Sequence, residues 1–195
     1  SAGLLGTFST TPGTTPNQLQ RKLGSAKPGE SVNGFEVFDV TQIQATAIKN
    51  FDRVLGASRY SVLGEVGAVF VDGLPEIAPG QRYGRNPVFG TARGTEGYVT
   101  DFSWGYRLRT QATYRDAFMG IDLIPSIAWS HDVDGWSPEP GQVFNEGRQS
   151  VGLGLGFEFD ANTKASINYT TFTNAANYDV LRDRDFISLS ASYSF

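Results

Sequence analysis

The sequence contains no cysteine, one histidine and one methionine. Without cysteine the chain has no disulfide, no thiolate metal site and no cysteine nucleophile. It also lacks long hydrophobic runs. No stretch approaches the roughly 18 consecutive apolar residues of a transmembrane helix, which excludes a helical membrane protein. Basic charge is scarce and scattered: 16 Lys and Arg face 20 Asp and Glu, for a net charge of -4. Such a balance gives no electrostatic footprint for nucleic acid. What the chain does have is glycine, 23 residues of 195, and an aromatic share of 13%, a composition that points to β structure. The mean hydropathy of -0.25 would suit a water-soluble protein. It does not exclude a membrane, because a bilayer-spanning sheet alternates apolar and polar residues and dilutes its own average.

Seven stretches alternate with period two, the mark of strands in a sheet with two unlike faces. They run over about residues 35–51, 58–72, 98–118, 120–132, 147–160, 164–172 and 184–195. The third is the cleanest. Phe102, Trp104, Tyr106 and Leu108 fall on one face, while Asp101, Arg107, Arg109 and Arg115 fall on the other. The second sets Tyr60 and Val62 against Arg59 and Glu65, and the fifth sets Leu153 and Leu155 against Arg148 and Glu158. Asp122 joins the charged face from the fourth stretch. The first stretch is irregular, because Phe38, Val40 and Ile48 share a face with Gln42 and Gln44, and its orientation stays open.

Alternation alone does not separate lipid outside from water outside, since soluble sandwiches and barrels alternate too. Length favours lipid. Soluble strands cluster near five or six residues, whereas the first three stretches are about 15 to 19, enough for a tilted bilayer crossing. Tyr98, Phe102, Tyr114 and Phe118 lie towards the two ends of one strand, where interfacial aromatic girdles form. The connections alternate short and long. Those at residues 52–57, 119 and 161–163 are short; those at 73–97, 133–146 and 173–183 are long. A transmembrane barrel has this pattern, with short periplasmic turns and long extracellular loops.

The chain ends on Ile187, Leu189, Ala191, Tyr193 and Phe195 at alternate positions. This ending resembles the C-terminal signal recognised by the outer-membrane assembly machinery, with Leu189, Tyr193 and Phe195 as its main elements. Several motifs carry a further resemblance: Leu63-Gly64-Glu65-Val66-Gly67, Ala128-Trp129-Ser130-His131-Asp132 running into Gly135-Trp136-Ser137-Pro138, Glu146-Gly147-Arg148, and Asp183-Arg184-Asp185-Phe186. Over residues 35–195 these resemble a large family of proteobacterial outer-membrane proteins catalogued only as a domain of unknown function. The resemblance implies a barrel longer than this chain, and an association with the handling of hydrophobic compounds.

Catalysis has one candidate imidazole, His131, beside Ser130 and Asp132. Strand neighbours point to opposite faces, so Ser130 and His131 do not make a nucleophile and base, and no enzyme activity is expected. Asp132, Asp134, Glu139 and Glu146 could gather Ca²⁺ on one long loop, but their spacing matches no cation motif, and a solvated acidic loop is the simpler reading. Neither a metal nor a cofactor is expected. Gly152, Gly154 and Gly156 alternate within a strand, so they are not a phosphate loop; they leave room for a plug, a neighbouring side chain or a ligand.

The sequence thus predicts an antiparallel transmembrane β-barrel in the outer membrane of a Gram-negative bacterium. Its lumen is lined by Arg59, Glu65, Asp101, Arg107, Arg109, Arg115, Asp122, Arg148 and Glu158. Its lipid face carries Tyr60, Val62, Phe102, Trp104, Tyr106, Leu108, Leu153 and Leu155. The function expected is porin-like passage of a small solute, hydrophobic compounds among the candidates; the alternative is a non-conducting scaffold that uses its long loops for binding. Partners expected are outer-membrane lipid, the assembly machinery and the solute, with no nucleic acid. Seven strands are an odd number, and counting back from a periplasmic Phe195 places residues 1–34 outside the cell as a loop. An N-terminal remainder of the same barrel is therefore expected upstream. An eighth strand near residues 2–11 is the lesser alternative, and residues 17–23 could form a short helix.

Overall fold

The computed structural model describes residues 2–5, 28–29, 31, 35–74, 83, 96–138, 143–174 and 177–195. The candidate helix at residues 17–23 and the carboxylate of Glu139 lie outside them. The described chain is all β: β1 (Ala2–Leu5), β2 (Phe35–Val54), β3 (Ala57–Asp72), β4 (Phe102–Phe118), β5 (Ile121–Asp134), β6 (Gln149–Glu158), β7 (Thr163–Asn174) and β8 (Phe186–Tyr193). All eight join one antiparallel sheet in chain order, each strand beside the next. The seven long strands answer to the seven alternating stretches. The eighth, β1, covers only four residues and pairs with Phe35 to Phe38. Among the described residues β8 pairs with β7 alone and β1 with β2 alone, so the sheet is open rather than closed on itself.

Turn chemistry explains the short connections. Leu55-Gly56 and Met119-Gly120 join β2 to β3 and β4 to β5, with both residues of each pair at positive φ. That is the signature of the type I′ turn, whose twist matches the strands it links. Between β6 and β7, Asp160 makes the turn: Oδ1 accepts the N–H groups of Asn162 and Thr163 at 2.7 and 2.8 Å, and Oδ2 accepts the Thr163 hydroxyl at 3.0 Å. These contacts to the charged form hold the Asp160 carboxyl below its ordinary pKa.

The register puts like with like. Glu65 pairs with Arg107, Arg107 with Ser130 and Ser130 with Ser150, whereas Val66 pairs with Tyr106 and Leu108 with Trp129. The pairing also settles the orientation of β2. Gln42, Gln44, Thr46 and Asn50 lie on the polar face with Glu65 and Ser61, and Ile43, Ala45, Ala47 and Phe51 lie on the apolar one. Pro125 sits inside β5, where the ladder to β4 passes from Gln111↔Ser126 to Tyr114↔Leu123 without a pair at the proline, which has no N–H to offer.

Two expectations for β4 are corrected. The strand begins at Phe102 rather than near Tyr98, because the preceding residues bond to connections instead: the Val99 N–H donates to the Tyr83 carbonyl at 2.9 Å, and the Thr100 N–H to the Trp136 carbonyl at 3.0 Å. Tyr98, expected at an aromatic girdle, is buried at 3% exposure.

Candidate functional site

The core of the molecule does not lie between two layers; it lies where long connections fold onto the polar face of the sheet. Phe38, Val69 and Val71 come from the strands, Tyr83, Val99 and Phe144 from the connections, and Leu74 and Val143 pack against them. Phe144 is 1% exposed. Its ring rests on Gly67 and Gly105, which face each other directly across β3 and β4. A Cβ on Gly105 would come within 2.9 Å of the ring, and one on Gly67 within 3.2 Å. The Arg107 guanidinium stands 5.8 Å from the ring centroid, within cation–π range.

Hydrogen bonds shape the residues around Phe144. The Ser137 hydroxyl accepts the N–H groups of Val143 and Phe144 at 2.7 and 2.8 Å. The Asn145 N–H donates to Asp132 at 3.0 Å, and the Gly135 N–H donates to Glu146 at 3.3 Å. Asp132, 2% exposed, faces Arg107 and Arg148, each at 3.7 Å. Arg148 reaches on to Asp179 in a two-bonded pair, both contacts 2.8 Å. Asp179 belongs to the β7–β8 connection, which also presses the Tyr178 ring onto Gly97, at positive φ, where any Cβ would collide with it. Three connections therefore meet over one end of the polar face.

Further along that face lie two cavities. One, of 240 Å³, is bordered by Leu63, Glu65, Arg107, Arg109, Ser130 and Ser150; the other, of 340 Å³, by Arg109, Gln111, Ser126, Glu158, Lys164 and Asn168 among others. Arg109 borders both. Its cross-strand neighbours are Leu63 and Ala128, neither of which can neutralise it. Hydroxyl pairs tie the floor together, Ser130 to Ser150 at 2.7 Å and Ser166 to Ser190 at 2.8 Å. Glu158 and Lys164 pair at 2.7 Å near the short turns.

Of the residues expected to line a lumen, Arg59, Glu65, Arg107, Arg109, Asp122 and Glu158 share the polar face. Arg115 borders a separate cavity beside the turns with Arg53. Asp101 precedes β4 and is exposed, and Arg148 precedes β6 and is consumed by the ion cluster. Tyr60, Val62, Phe102, Trp104, Tyr106, Leu108, Leu153 and Leu155 all fall on the opposite face, as do Leu189 and Tyr193. Ser130 points to the polar face and His131 to the apolar face, where its ring packs edge-on against Tyr106 and Trp129. Among the described residues no three acidic or imidazole groups gather as a metal site. Gly154 makes room for Ser126 and Asn168, so the glycine row accommodates neighbouring side chains.

Sequence reasoning missed the seat of Phe144 and the role of Asp179. The only signal was a glycine at matching places in two otherwise side-chain-rich faces, Gly67 and Gly105, and nothing local told which ring would fill the gap.

The family described as "Protein of unknown function (DUF1302)" matches residues 3–195. The chain belongs to this family. No curated protein and no solved structure matches the chain significantly.

Proposed function

We propose that this DUF1302 chain contributes its sheet to a transmembrane β-barrel of the bacterial outer membrane and that the polar face lines a path for a small solute. The observation that carries this reading is the apolar face. From β2 to β8 it exposes Ile43, Val66, Leu108, Ile127, Leu153, Ile167 and Leu189, each at least 42% accessible. Its charged side chains lie towards the strand ends; Lys49, on the β2–β3 turn side of β2, has its Nζ over the Phe51 ring at 5.8 Å. Water-soluble monomers do not leave a continuous apolar surface of that extent uncovered. In a bilayer it is the solvated surface, and a lysine near the end of a strand extends its amine to the interface.

The long edges of β2 and β8 belong to the same reading. In hydrocarbon an unpaired edge costs several kcal/mol per unsatisfied group, so further strands, an N-terminal remainder of the barrel, close the sheet. Leu189, Tyr193 and Phe195 serve as the assembly signal. The resemblance to proteins associated with hydrophobic compounds makes such compounds candidate solutes, sorted by Glu65, Arg107 and Arg109 on the wall.

A non-conducting scaffold is the second reading, and one observation favours it: three connections pack over the end of the polar face. Single-channel recording of the purified full-length protein in a planar bilayer separates the two. Discrete conductance steps are expected. No current, together with no solute flux into liposomes, would leave the scaffold.

A further inference from the structure

We infer that Phe144 is a displaceable stopper that closes the long-loop end of the polar-face path and is latched there by the Arg148–Asp179 pair. This rests on the solute-path reading. The ring is placed to block, because it lies on Gly67 and Gly105 towards the long-connection end of the face, with Arg107 shared between the ring and the adjoining cavity.

Besides its bonds to Ser137 in its own connection and to Asp132 at the end of β5, the stopper is held by one connection gripping another. Arg148 follows Phe144 by four residues in the β5–β6 connection, and its partner Asp179 lies in the β7–β8 connection. Releasing that grip breaks no strand pairing. The seated arrangement is also incompletely satisfied: Ser103 Oγ, Trp136 Nε1 and Asn145 Oδ1 are buried with no hydrogen-bond partner among the described residues. Buried polar groups left this way raise the free energy of the closed state, which brings an open state within reach. Local openings of this kind are measured by amide exchange.

The experiment is hydrogen exchange of residues 143–148 in the purified full-length protein, paired with bilayer currents. Asp179→Asn should speed exchange at the Phe144 and Asn145 amides about tenfold or more, the loss of a charge-assisted contact, while β6 and β7 stay protected. Asp179→Glu should restore slow exchange. Gly67→Leu places carbon where the ring tip sits, and Phe144→Ala removes the ring; both should raise the open-channel current. Unchanged exchange in Asp179→Asn would overturn the latch, and wild-type currents in both Gly67→Leu and Phe144→Ala would overturn the stopper. If no form of the protein conducts, the solute path and the stopper fall together, and the exchange rates then decide the Arg148–Asp179 latch by themselves.

Discussion

Asp160 shows how much one exposed side chain does when its acceptors are aimed. Its carboxylate gathers two N–H groups and a hydroxyl across the β6–β7 turn, and its pKa is held down by them. A folded-state pKa below the unfolded one adds stability that is complete above the unfolded value, near 3.9 for Asp, and is lost as pH falls through the folded value. Exchange of the Thr163 amide should therefore accelerate below that range in the wild type. In Asp160→Asn, which keeps an acceptor oxygen but does not titrate, the acceleration should vanish; a persisting one would place the sensitivity elsewhere. Asp185 works alike at the other end of β7, accepting the Phe172 N–H at 3.1 Å and the Tyr169 hydroxyl at 2.9 Å, and its pKa is lowered by these bonds.

Among the elements, the β4–β5 hairpin carries a correctable flaw. Met119 takes φ 51° beside Gly120 at 83°, a conformation that asparagine adopts with less strain than methionine. Met119→Asn should stabilise the protein by about 0.5–1 kcal/mol, read as a shift of the denaturant midpoint. No shift would mean that the exposed methionine earns its place by a contact with lipid. The last strand tests a different link. Phe195 follows Tyr193 on the apolar face, rings 6.5 Å apart, beyond the end of the β7–β8 ladder. If it is an assembly signal, deleting it should lower outer-membrane yield in cells and leave refolding in detergent comparatively intact. Equal losses in the two assays would assign it to packing.

At the scale of the whole molecule the question is which solvent meets which face. An Arg on a lipid-facing position costs about 2–4 kcal/mol at the bilayer midplane, so Arg107 and Arg109 together could not be borne there. Single-cysteine probes can be placed one at a time in this chain, which has no cysteine of its own. Probes at Tyr106 and Leu108 should respond to lipid-soluble quenchers, and probes at Arg107 and Arg109 to water-soluble ones. The opposite pattern would reverse the faces and remove the barrel reading.

Much of this was legible in the residues alone. Period-two alternation is a local property, so the seven long strands, their two unlike faces and the alternation of short and long connections could all be read along the chain. Those same rules place Ser130 and His131 back to back. The orientation of β2 was not legible, because its apolar residues are split between both parities; only pairing Gln44 with Gly67 and Thr46 with Glu65 fixed it. Nor did alternation mark β1, whose four residues are defined by their pairing with β2. Tyr98 read as the end of a strand because its parity was right, yet its neighbours found partners in Tyr83 and Trp136. The seat of Phe144 and the Arg148–Asp179 latch join residues 39 and 31 positions or more apart, through connections that have no period at all. Local pattern fixes which way a strand's side chains point, whereas what covers them depends on where distant loops come to rest, and that only the tertiary structure decides.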